Sequence, residues 1–131
     1  MVMMDSKAGL ISRASEIIGK TVVNFEGENV GEIKDIMVNH ADGQVTYAIL
    51  SFGGILGLGD KLFAVPWVSL SHDKTNNRFR MNANKDLLKN APGFDKNNWP
   101  DMSDPTRQAE IYRYYNQSER RMDSRDRGAA D

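Results

Sequence analysis

The chain has 131 residues, of which 40% are hydrophobic and 27% charged, with a formal net charge of -1. That length fits one domain with one core, and the balanced charge gives no global pull toward nucleic acid or an acidic membrane. Cysteine is absent, which excludes disulfides, thiolate metal sites, thiol nucleophiles and iron–sulfur clusters.

Residues 1–9 read as a loose leader. Met1-Val-Met-Met-Asp5 has no basic stretch followed by an apolar run, so no secretory signal is expected. The longest near-apolar run, Val45 to Leu58, is interrupted by Thr46, Ser51 and glycines. It falls short of the ~20 apolar residues a membrane helix needs, and a cytoplasmic protein is expected. Leu10 to Ile18 is a short amphipathic stretch, with Ser12 or Ser15 as a helix cap and Gly19 as a stop. Ile17 and Ile18 then need cover, which places this turn over one end of a core.

From Lys20 the pattern is that of strands. Thr21 to Phe25 is β-branched and aromatic, Glu26-Gly-Glu-Asn29 is turn chemistry, and Val30 resumes the apolar pattern, which reads as a hairpin. Between Val30 and His40 the apolar parity changes, with Ile33 on odd numbers and Ile36 and Val38 on even ones. A regular strand cannot switch faces, so a β-bulge is expected near Lys34-Asp35, with the Asp35 side chain satisfying backbone groups there. Asp42-Gly43 signals the next hairpin. In Val45 to Phe52 both parities are apolar, and Leu62 to Trp67 repeats this. Pro66 cannot donate to a ladder, so that strand must end, bend or lie at an edge. His72 to Asn77 reads as a polar turn, and Arg78 to Asn82 as a short strand with Phe79 and Met81 inward.

Six short strands joined by tight turns predict a small β-barrel in a mainly all-β protein. Asn84 is expected to cap a helical turn over Lys85 to Asn90. Phe94 and Trp99 sit in a segment rich in Asn, Asp and Pro, where aromatics persist only if they dock on the body of the fold. Asp104-Pro105 is a helix start, with Ile111, Tyr115 and Met122 near one face. From Asp104 onward six arginines balance six acids. Loss of order is expected from about residue 120. The division is therefore a leader at 1–9, a barrel domain at 10–101, and a C-terminal helix and charged tail at 102–131.

Four stretches resemble the PRC-barrel family: Ile18-Gly-Lys-Thr-Val22, Gly31-Glu-Ile-Lys-Asp-Ile36, the segment from Ser51 to Trp67, and Leu87-Leu-Lys-Asn-Ala-Pro-Gly-Phe-Asp95. The resemblance runs from about Leu10 to Asp101. The family takes its name from the cytoplasmic domain of the photosynthetic reaction centre H subunit, and a related domain forms half of a bacterial ribosome maturation factor. Many other members stand alone, some linked to stress. The resemblance implies a small barrel and supplies no catalytic motif.

The glycine-rich stretch Gly54-Ile-Leu-Gly-Leu-Gly-Asp-Lys61 has to be weighed against a phosphate-binding loop. Asp60 stands where that loop needs lysine, no Ser or Thr follows Lys61, and the next residues read as a strand, so no helix N-terminus is available for an anion. Ile55, Leu56 and Leu58 either fold back over the barrel end or form an interface.

A barrel of this size has one interior. It cannot bury Tyr47, Ile49, Phe63, Val65 and Trp67 on the same side as Ala48, Leu50, Phe52 and Leu62, so one set must be covered from outside. The leader, the Phe94–Trp99 segment, the tail helix or a second subunit are the candidates.

Catalytic chemistry is sparse. His40 and His72 lie at expected turns beside Asp42 and Asp73, and read more simply as turn residues than as a metal pair. No catalytic, cofactor-binding or metal residue is singled out. The sequence therefore predicts a non-catalytic binding and assembly module, homodimeric, with Ile55, Leu56, Leu58, Tyr47, Ile49, Phe63 and Trp67 as interface. One alternative is an RNA- or ribosome-associated factor using Lys74, Arg78, Arg80, Arg107 and Arg113. Another is a small-molecule or metal-binding stress protein.

Overall fold

A computed structural model describes residues 11–52 and 61–127, with side chains for 11–52 and 61–116. The leader, the tip of the glycine loop with Ile55, Leu56 and Leu58, and residues 128–131 lie outside the described residues. A first short helix, α1 (Ala14–Ile17), leads through Gly19 into the strands. Gly19 adopts φ 98, a conformation that favours glycine, and its N–H donates to the Ile33 carbonyl at 2.7 Å. Neither serine caps α1. Arg13 takes that position, its N–H donating to the Glu16 carboxylate at 3.0 Å. Ile17 packs on the core as expected, whereas Ile18 remains exposed.

Six strands follow: β1 (Thr21–Asn24), β2 (Asn29–Val38), β3 (Val45–Ser51), β4 (Leu62–Pro66), β5 (Leu70–Asp73) and β6 (Arg78–Met81). They form one sheet in the order β4-β3-β2-β1-β6-β5, antiparallel throughout except for the parallel β1–β6 pair. The predicted bulge is present. The β2–β3 register shifts between Ile33 and Asp35, where the Asp35 carboxylate accepts the Ile36 N–H at 2.9 Å. A second irregularity falls between Met37 and Val38. His72 and Asp73 belong to β5 rather than to the turn after it.

The connection between β4 and β5 forces the sheet to curl. Laid flat, six strands at ~4.8 Å spacing would separate the outer two by about 24 Å. β4 and β5 are those outer strands, yet only the 3₁₀ turn Trp67–Ser69 joins them. From Pro66 to Leu70 an extended chain reaches at most about 14 Å. The sheet therefore rolls into a barrel-like body closed by the chain, with no β4–β5 ladder among the described residues. Pro66 ends its strand at this corner, as its missing N–H requires.

Two further helices complete the fold. In α2 (Lys85–Lys89) the Asn84 side chain caps the first turn, accepting the Leu87 N–H at 2.8 Å. Phe94 pairs with Leu62 through two backbone hydrogen bonds and packs on Trp99 at 5.0 Å, so the polar segment docks as its aromatics predict. The third helix, α3 (Pro105–Arg127), opens with proline at its first position, and the Asp104 carboxylate accepts the Thr106 N–H at 3.0 Å.

Candidate functional site

The sheet carries two apolar faces, and register decides which residue lies on which. In the antiparallel β3–β4 pair Leu50 lies opposite Phe63 and Ala48 opposite Val65, while Ile49 lies opposite Ala64 and Tyr47 opposite Pro66. Directly opposed residues share a face. Phe63 and Val65 therefore join Ala48 and Leu50 inside the barrel, where Phe52 and Phe63 stack at 4.5 Å. Tyr47 and Ile49 share the outer face with Leu62 and Ala64. Parity within each strand divides the residues correctly, but the expected grouping of Phe63, Val65 and Trp67 with Tyr47 and Ile49 does not hold. Trp67 turns toward Phe79 at 5.6 Å and is half-buried.

The outer face is covered by the chain itself. Helix α3 packs over β4, and Ile111 borders the same small hollow as Ala64 and Met102. Tyr112 sits 5.6 Å from the Tyr47 ring and donates its hydroxyl to the Thr46 carbonyl at 3.4 Å. Tyr114 donates to the Leu87 carbonyl. Under this cover Tyr47 and Ile49 are buried, as are Ile111 and Tyr115 on the helix. Of the residues the sequence suggests for an interface, the structure thus places Tyr47 and Ile49 beneath α3 and Phe63 in the interior.

The seam between α3 and the sheet is imperfect. The hydroxyls of Tyr47 and Tyr115 are buried and have no hydrogen-bond partner among the described residues. Burial holds both in the neutral form. The Tyr47 hydroxyl is pushed up to about 12 by burial, with Tyr112 adding to it, and burial together with Tyr114 raises Tyr115 further. Each unpaired buried hydroxyl costs about 1–3 kcal/mol. Burying Ile111 and the Tyr115 ring contributes about 1.5–3 kcal/mol each, so the two unpaired hydroxyls offset part of what the helix gains by packing.

Beside the helix lies an open cleft of about 590 Å³ between the β2–β3 turn and the strand-free segment leading to α3. Met37, Val38, His40, Tyr47, Trp99 and Met102 contribute to its walls. Val38 and Trp99 on its rim are exposed, as is Tyr112 on the adjoining helix. Asp101 also borders the cleft, and hydrogen bonds from the Ser103 hydroxyl and N–H hold its carboxyl below the usual range. Among these residues, the sequence marks Trp99 through its need to dock. Met37 and Met102 carry no signal, because only the tertiary arrangement brings them to one cleft.

Other candidate chemistry resolves into structural roles. His40 lines the cleft, whereas His72 lies on β5 with its ring 5.1 Å from Phe79. Among the described residues no group of three or more His, Cys, Asp or Glu could hold a metal ion, and no helix is long and apolar enough to cross a membrane. Arg78 pairs with Asp73 at 3.1 Å, and Arg80 lies over the Phe25 ring at 4.9 Å, so both cations of the β6 strand already have local partners. Lys61 is followed by β4, not by a helix.

The fold is that of a small, curled six-stranded β domain whose outer face is capped by a C-terminal helix. The PRC-barrel domain model matches residues 10–88, more than half of the chain, and the protein belongs to the PRC-barrel family. The Phe94–Trp99 segment and α3 lie beyond the matched residues. No curated protein matches the chain.

Proposed function

We propose that this protein is a non-catalytic binding and assembly module that acts as a homodimer. The observation that carries the reading is the group of exposed apolar residues Val38, Trp99 and Tyr112 along and beside one open cleft. The interface consists of the glycine-loop residues Ile55, Leu56 and Leu58 together with the apolar rim of Val38, Trp99 and Tyr112. The outer-face residues Tyr47 and Ile49 lie directly beneath the helix that carries Tyr112. Exposed apolar residues grouped along one cleft favour protein contact over scattered surface exposure. Membership of a family without a catalytic motif supports a non-enzymatic role. The local pairing of Arg78 and Arg80 weighs against the RNA-associated alternative.

Light scattering over a dilution series tests this reading. The expected mass is twice the 14.7 kDa of one chain, falling to that of one chain when Ile55 and Leu58 are both replaced by Asp. A wild-type chain that stays monomeric up to millimolar concentration sinks the homodimer.

A further inference from the structure

We infer that α3 is a releasable strap, which opens without unfolding the barrel and so governs access to the outer face of β3 and β4. The inference goes beyond the assembly reading above, because it concerns the buried sheet face beneath the helix and not the exposed rim of Val38, Trp99 and Tyr112. Three observations support it. Helix α3 lies outside the residues that match the barrel family, and it contributes no strand to the sheet. Its fully buried side chains, among those described, are Ile111 and Tyr115, and beside them Tyr112 and Tyr114 each reach the barrel body through one hydroxyl, to the Thr46 and Leu87 carbonyls. The seam contains two buried hydroxyls without partners, Tyr47 on the sheet and Tyr115 on the helix, and opening hydrates both.

The opening has a defined hinge. Trp99 is anchored by its ring contact with Phe94 and by its indole N–H, which donates to the Lys96 carbonyl at 2.9 Å. The chain from Asp101 to Asp104 that follows holds neither strand nor helix. Its hydrogen bonds from Ser103 to Asp101 are local and move with it. The helix can therefore swing about this short piece while the Phe94–Leu62 bridge keeps the preceding segment in place. What it uncovers is Tyr47, Ile49, Leu62 and Ala64, an apolar strip on two neighbouring strands.

Hydrogen exchange on the full chain under native conditions tests the strap, with β3 as internal reference. Amides of residues 109–116 are expected to exchange through an opening separate from global unfolding, while β3 amides exchange only by global unfolding. Two tyrosine variants give opposite signs. Tyr115→Phe removes an unpaired hydroxyl and should slow α3 exchange by about tenfold, whereas Tyr112→Phe removes the bond to Thr46 and should speed it by about twofold or more. Because the chain has no cysteine, a thiol introduced as Ala64→Cys reports the uncovering directly, and its labelling rate should follow α3 exchange. Exchange of α3 and β3 in a single step, acceleration by Tyr115→Phe, or a residue-64 thiol that reacts only on global unfolding would each overturn the strap. These readouts do not depend on mass, so a monomeric protein would remove the homodimer reading and leave the strap to be judged on its own.

Discussion

Replacing Gly31 by Ala probes a close backbone approach in the barrel. Gly31 lies in β2 opposite Val22 at φ 155. A Cβ built there would stand 2.8 Å from Phe52 Cδ1 and 2.9 Å from the Ser51 carbonyl oxygen. Neither neighbour has room to retreat. Ser51 is held in the β3–β4 ladder, and the Phe52 ring is fully buried and stacked on Phe63. Backbone strain at such a φ contributes about 1–3 kcal/mol, and overpacking a filled core adds about 1–3 kcal/mol. The expected loss is therefore about 2–6 kcal/mol, a large fraction of the ~5–15 kcal/mol by which domains are stable. Urea unfolding measures it as a lower midpoint at unchanged slope. Gly27→Ala supplies the reference, since Gly27 has φ 84 with nothing within 4 Å of an added Cβ and so reports strain alone. If the two variants lose stability to within about 0.5 kcal/mol of each other, the close-approach argument is refuted.

Two more perturbations address the polar supports of the fold. Asn24 is buried; its side-chain oxygen accepts the Glu26 and Glu28 N–H groups at 3.0 and 2.9 Å, and its amide donates to the Glu28 carboxylate at 2.7 Å. Asn24→Ala leaves these groups without their partner and should cost about 1–3 kcal/mol by urea unfolding; a cost below ~0.5 kcal/mol would mean that water replaces the side chain freely. Asp73 has its carboxyl held below the usual value, chiefly by the Asn76 side-chain amide and also by Arg78. A depressed folded-state pKa gives stability that is present above the ordinary carboxylate value of ~3.9 and is lost as pH falls through the lower folded value. Asp73→Asn should accordingly flatten the acid limb of the urea midpoint against pH below about pH 4, and an unchanged limb would remove Asp73 from the account.

The sequence by itself determines the local events of this protein. Asp42-Gly43 makes its turn, with Gly43 at φ 72 and the Gln44 N–H on the Asp42 carboxylate. The parity change after Ile33 makes the bulge, Asn84 caps α2, and Asp104-Pro105 starts α3. Each involves residues a few positions apart, so composition and spacing suffice. The placement of Phe63 and Trp67, by contrast, depends on partners far along the chain. Alternation divides each strand into two faces, yet only the β3–β4 register says that Phe63 meets Leu50 and not Ile49. The parallel β1–β6 pairing likewise joins residues from opposite ends of the barrel. That α3, and not another copy, closes the outer face was equally open in the sequence, because an apolar face specifies that it must be covered but not by what. Tertiary structure makes that choice through packing: Ile111 beside Ala64 and Tyr112 beside Tyr47.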